Sequence, residues 1–223
     1  MNQAGLRSLV LFFALWMALA PGCIAGVVTG RVERPPSQPA EAPQINRYRG
    51  RETAAPKPAM PNCSCEPQKF AVIYLTGNSL PPALPVTTHP SMAQKDMMFQ
   101  PSVLAVTVGS SVEFPNLDPY FHNVFSYSKT KKFDLGRYAI GKSKNITFDK
   151  PGIVKIFCEI HNSMRAYLHV LETPYFAVSD DHGVFTITDV KSGDYTLHVW
   201  QENQVDLEQK ITVIGDTTQV AIK

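Results

Sequence analysis

Cysteine is scarce, four residues in a chain of 223. A disulfide scaffold is thereby excluded, because chains this long that rely on cross-links carry many more. Charge is scarce as well, at 18% of residues with a formal net charge of +2. That excludes a general nucleic-acid binder, whose affinity rests on a basic surface. No run beyond residue 20 is long and apolar enough to span a bilayer. No segment carries a strong helical period. Ser–His–Asp arrangements, phosphate loops and paired-carboxylate motifs are missing, so no substrate chemistry is assigned and an enzyme is not expected. What is present is apolar: 44% of residues are hydrophobic. Disorder throughout is therefore excluded, and the length suits one large domain or two small ones.

The N-terminus reads as a targeting segment. Arg7 precedes the apolar run of residues 9–20, and polar, Pro-rich sequence follows. The run is shorter than the roughly 20 residues of a spanning helix and fits a secretory signal, residues 1–25. Two cut sites remain open. A peptidase site ends at Ala25. An imperfect lipoprotein site would instead place a lipid anchor on Cys23. Either way the chain is expected outside the cytoplasm, periplasmic or tethered to the non-cytoplasmic side of a membrane, in an oxidising compartment.

The rest predicts an all-β protein. Seven prolines between residues 35 and 61 exclude helix and central strand there. Short alternating runs punctuated by Gly, Pro and Asn fill residues 91–172, including Leu104–Val108, Val112–Phe114, His122–Phe125, Ile153–Phe157 and Tyr167–Leu171. Such spacing predicts a sandwich or barrel. A second β register fills residues 173–223, with Asp181-His182-Gly183 as a hairpin-type turn.

The sharpest chemical signal is Cys158-Glu159-Ile160-His161-Asn162-Ser163-Met164, with His122 on a strand 36 residues upstream. Two imidazoles, one thiolate and a weak thioether describe a blue-copper electron-transfer site. Soft Cu(I) prefers sulfur and Cu(II) accepts imidazole, so a mixed set that suits neither ideally keeps rearrangement small. A Cys at a strand end, with His and Met in the same loop, lets all three turn back on one ion. Zinc is the rival metal, but thioether is a poor zinc ligand.

These residues resemble the cupredoxins. The resemblance rests on Val106–Asn116, Phe121-His122-Asn123-Val124, Phe148–Gly152 and Phe157–Met164. It implies a Greek-key β-sandwich over residues 91–172 and one type 1 copper held by His122, Cys158, His161 and Met164. Asn123 would support the cysteine loop, and His161 would present its ring edge for electron passage. The C-x2-H-x2-M spacing is similar to the amicyanin loop. Gln94–Pro101 and Thr173–Val178 resemble bacterial proteins labelled methylamine-utilisation or plastocyanin-like. Glu159 and Asn162 stand where such loops are often apolar, which counts against an amicyanin-like docking patch.

Residues 180–199 resemble the carboxypeptidase regulatory-like β-sandwich, with the pattern D-x2-G-x-F-x-I followed by V-x2-G-x-Y-x-L-x-V. Fifty residues is short for such a module. Val27–Val32 and Phe70–Leu75, within residues 26–90, would supply its missing strands; two sequential domains are the alternative. Scaffolding, partner docking and glycan contact are the roles open to it. Cys63 and Cys65 suit an oxidised pair, pairing elsewhere, or soft copper. Met92, Met97 and Met98, with His89 nearby, suit core packing more than transient Cu(I) capture. The lysines between 129 and 144 read as solvated hairpin charge, with steering of an acidic partner as the alternative. The expected function is single-electron transfer between protein partners of cytochrome or dehydrogenase type. A copper chaperone or store is one rival, and a surface binding module with a vestigial site is another.

Overall fold

A computed structural model describes residues 25–33, 70–78, 80–85 and 88–222. The targeting segment, Cys23, the Pro-rich stretch, Cys63 and Cys65 lie outside the described residues. Every regular element among the described residues is a strand. In chain order they are β1 (Gly26–Val32), β2 (Ala71–Thr76), β3 (Ala93–Lys95), β4 (Met98–Gln100), β5 (Val103–Thr107), β6 (Ser110–Pro115), β7 (His122–Tyr127) and β8 (Lys132–Tyr138). There follow β9 (Ser143–Phe148), β10 (Gly152–Phe157), β11 (Arg165–Leu171), β12 (Phe176–Val178), β13 (Val184–Val190), β14 (Gly193–Gln201), β15 (Leu207–Val213) and β16 (Thr217–Ile222).

They build two sandwiches. In one, the five-stranded sheet β5-β11-β10-β7-β8 faces the two-stranded pairs β6-β9 and β3-β4. The core between them holds Val112, Phe114, Phe148, Val154, Ile156 and Leu168. In the other, β13-β1-β16 faces β12-β2-β14-β15 across Val28, Ile73, Leu75, Phe185, Leu197 and Val199. Strands early in the chain thus join late ones: β1 pairs with β13 and β16, and β2 pairs with β12 and β14. Tyr74 stands opposite His198, and Ile73 opposite Val199.

Side chains alternate across a strand, so a strand buried on both faces must be apolar at consecutive positions. This accounts for Ala71–Leu75 and Ala166–Leu171. On β11, Ala166, Leu168 and Val170 enter the first core, while Tyr167 and Leu171 turn outward. On β2, Ala71, Ile73 and Leu75 enter the second core, while Val72 turns outward. The outward residues meet as a third cluster with Val103, Ala105 and Trp200, which joins the two sandwiches.

Two sequence expectations are corrected and one is met. Asp181–Gly183 does form a turn, closed by Gly183 N–H donating to the Asp180 carbonyl. It does not make a hairpin, because β12 and β13 belong to opposite sheets of the sandwich. The lysine-rich segment is hairpin charge as expected: it forms β8, the exposed edge strand paired antiparallel with β7. Its apolar alternation is short, with half-buried Phe133 and Leu135 between exposed Lys132, Asp134 and Gly136. Met92 is fully buried, as packing requires, but Met97 and Met98 are exposed on the β3–β4 hairpin.

Candidate metal centre

His122, the first residue of β7, is fully buried. The register between β7 and β8 shifts between Asn123 and Phe125. Such a bulge re-aims side chains locally, and here His122, Asn123 and Val124 are buried in succession. Cys158 follows directly on β10 and is also buried. The loop from Cys158 returns to β11 through two backbone hydrogen bonds. Met164 N–H donates to the His161 carbonyl at 2.9 Å, and Cys158 N–H donates to the Met164 carbonyl at 3.3 Å. This tight closure turns His161 back toward His122.

The result is a convergence of donors. Cys158 Sγ lies 3.8 Å from His122 Nδ1, and His161 Nδ1 lies 3.0 Å from the same nitrogen. The ligand atoms of His122, Cys158 and His161 all lie within 4.8 Å of one another. Met164 is buried in the same core cluster as Cys158. His161 is half-buried, so one side of the site reaches solvent. Burial, then the adjacent His122, holds the His161 pKa below its ordinary value, which favours the neutral, ligating imidazole.

Asn123 ties the loop to the sheet. Its Oδ1 accepts from Glu159 N–H at 3.4 Å, and its Nδ2 donates to Asp134 Oδ1 at 2.7 Å. Arg137, opposite Asn123 on β8, pairs with Glu159 at 3.2 Å.

Sequence reasoning missed Asp118, whose Oδ2 lies 2.8 Å from His122 Nε2. Asp118 sits in the Asn116–Pro119 turn, which reads only as a turn in sequence. The available signal was a carboxylate four residues before a candidate ligand histidine. Burial alone would raise the Asp118 pKa. Hydrogen bonds from Met97 N–H, His122 and Asp96 N–H outweigh that and hold it below its ordinary value. An ionised carboxylate only accepts, so the His122 proton sits on Nε2 and the Nδ1 lone pair faces Cys158 and His161. Asn116 holds the turn in place: its Oδ1 accepts from Asp118 N–H, and its Nδ2 donates to the Tyr120 and Tyr138 carbonyls.

Two imidazole nitrogens and a buried cysteine sulfur, with a buried methionine in the closing loop, form a donor set of mixed softness that fits copper. Zinc would leave the thioether without a use.

Comparisons with known proteins agree in part. Residues 86–171 match the family model of copper binding proteins, plastocyanin/azurin family. Residues 169–220 match that of polysaccharide lyase family 4, domain II. No curated protein matches the chain. Among solved structures, a copper-containing nitrite reductase from Thermus scotoductus is 26% identical with a TM-score of 0.37. That alignment covers 40% of this chain and 25% of the reductase. A reduced amicyanin variant is 20% identical over 44% of this chain and 99% of its own, with a TM-score of 0.36. A purple cupredoxin from Nitrosopumilus maritimus is 20% identical over 37% of this chain and 99% of its own, with a TM-score of 0.34. Over residues 86–171 the chain is similar to the copper-binding proteins of the plastocyanin/azurin family, and copper is the cofactor its donor set fits.

Proposed function

We propose that the chain is an exported type 1 copper protein that carries single electrons between protein partners and performs no substrate chemistry. One observation carries the reading: His122 Nδ1, His161 Nδ1 and Cys158 Sγ converge within a buried, sheet-anchored pocket that opens to solvent on the His161 side. His122, Cys158 and His161 would be the strong ligands and Met164 the weak one, in a loop of amicyanin-like spacing. Bound copper supplies the one-electron couple. The chain's own residues would hold the donors in place for either oxidation state. Asp118 orients His122, Asn123 and the Arg137–Glu159 pair anchor the loop, and Met164 closes it. Preorganisation of this kind keeps the rearrangement accompanying electron transfer small.

Three assignments accompany this reading. Residues 1–25 are the export signal, with Cys23 as a lipid site if the lipoprotein cut is used. The cupredoxin-like unit spans 91–172. Strands from 26–90 join 173–223 in a second unit of carboxypeptidase regulatory-like type, whose glycan contact is an additional proposal. The partners are cytochromes or dehydrogenase-like proteins. A metabolic role in methylamine utilisation rests on resemblance alone.

Visible spectroscopy of the oxidised, copper-loaded protein tests the central claim. An intense thiolate-to-copper charge-transfer band is expected. Cys158→Ser should abolish it, and Met164→Leu should retain it with an altered potential. Stoichiometric copper without the band would overturn electron carrying and favour a copper store.

A further inference from the structure

The basic residues of this chain are not spread evenly. Between residues 128 and 155 there are eight basic and two acidic side chains, in a chain whose net charge is only +2. Residues 172–223 carry nine acidic and three basic side chains. The two acids of the basic segment are already engaged. Asp134 accepts from Asn123 and from Gly136 N–H, and Asp149 pairs with Lys131.

Part of this charge rims a cleft of about 660 Å³ between the two sandwiches. One wall is the outward face of β7, β10 and β11, with Tyr127, Lys155 and Tyr167; the other is the turn after β14, with Gln201–Gln204. Tyr127 is 73% exposed, and Lys132 Nζ lies 5.6 Å from its ring centroid. Lys129 and Lys155 line the cleft, and neither forms an ion pair among the described residues. Lys155 N–H donates to Ser128 Oγ at 2.9 Å, which fixes that wall. Glu202 is the one carboxylate among the lining residues, and its side chain is only 6% exposed. It accepts from Tyr167 Oη at 2.6 Å and lies 3.8 Å from Arg165. The open part of the cleft is therefore positive and aromatic.

The cleft also adjoins the metal loop. Phe157 lines it and immediately precedes Cys158. Phe125 contacts both Phe157, at 5.9 Å between ring centroids, and Tyr127, at 5.3 Å.

We propose that this cleft docks an acidic segment of a protein electron partner, with carboxylates on Lys129, Lys132 and Lys155 and an apolar side chain on Tyr127. The inference rests on the electron-carrying reading for the partner's role, but its binding claim stands on charge and shape alone. Complementary charge of this kind speeds encounter and fixes orientation. The chain's own residues 34–69 are a poor occupant, since they carry six basic and three acidic side chains and share the sign of the cleft.

The test uses the full chain loaded with Cu(I), which is diamagnetic, and follows backbone amides by NMR during titration with a poly-glutamate peptide. Shifts confined to Tyr127, Lys129, Lys132, Lys155 and Asn203, and weakening with salt, are expected. Lys129→Glu with Lys155→Glu should weaken binding about tenfold or more. Lys142→Glu with Lys144→Glu, outside the cleft, should leave it unchanged. Equal weakening by both pairs, or shifts spread over all lysines, would overturn the site. A neutral oligosaccharide moving the same amides more strongly than poly-glutamate would overturn the acidic occupant. So would sedimentation showing self-association through the cleft. Cleft binding by a protein that lacks the charge-transfer band supports the docking site and overturns only the electron role.

Discussion

At the scale of single residues, Asp118 offers the clearest handle on the copper site. Its carboxylate accepts from His122 Nε2–H and also holds the Asp96 and Met97 amides of the β3–β4 hairpin. Outer partners of ligand histidines typically contribute 10–100-fold in metal affinity. Asp118→Asn should therefore lower copper affinity by roughly 10–100-fold in a competitive titration. It should also raise the reduction potential, because a less basic imidazole destabilises Cu(II) more than it destabilises Cu(I). A purely structural role would lower thermal stability and leave the potential in place. The legibility of the site divides along the same line. His122, Cys158, His161 and Met164 are readable because their side-chain types are rare and their spacing is short. Asp118 is not, because a turn rich in Asn, Asp and Pro already explains an aspartate there.

At the scale of elements, what can be read depends on burial. Strands with one wet face alternate, as β6 does across Ser110–Pro115, and strands buried on both faces run apolar, as β2 and β11 do. Both patterns are visible in sequence, and they identify the protein as all-β. The edge strand β8 is fainter, since its alternation rests on half-buried Phe133 and Leu135 alone, between exposed Lys132, Asp134 and Gly136. Sheet membership hides, because the turn at Asp181–Gly183 looks the same whether it joins neighbours or crosses between sheets. Gly30 shows how one strand position enforces such long-range pairing. β1 runs parallel to β16 with Gly30 beside Val220, and antiparallel to β13 with Gly30 opposite Phe185. A Cβ at Gly30 would overlap the Val220 carbonyl and the Phe185 ring. Since one obstacle is backbone, the strand itself would have to move. Gly30→Ala should cost about 1–3 kcal/mol, read as a lower denaturant midpoint, while the visible spectrum of the distant copper site stays unchanged.

At the scale of the whole molecule, the join between the sandwiches contains a titratable group, His169. It projects from the outward face of β11, 7% exposed, with its ring 5.5 Å from Tyr74 on β2 and 5.7 Å from Trp200 on β14. Its Nδ1 has no hydrogen-bond partner among the described residues, and burial pushes its pKa down to about 4 from an ordinary 6.5. The folded protein therefore holds this imidazole neutral, while the unfolded chain takes up a proton as pH falls through about 6.5. Stability from the neutral form is complete above that pH and is lost progressively between about pH 6.5 and about pH 4. A depression of this size corresponds to about 3 kcal/mol over the window. Depressed carboxylates such as Asp118 also lose stability on acidification, so the comparison must be differential. His169→Phe keeps an aromatic ring at the join and removes the titration. Denaturant midpoints of the two proteins should diverge as pH falls through this window, with the native protein losing more. Parallel pH curves would mean that protonation of His169 is accommodated in the folded state, and that the join between the sandwiches is looser than its packing shows.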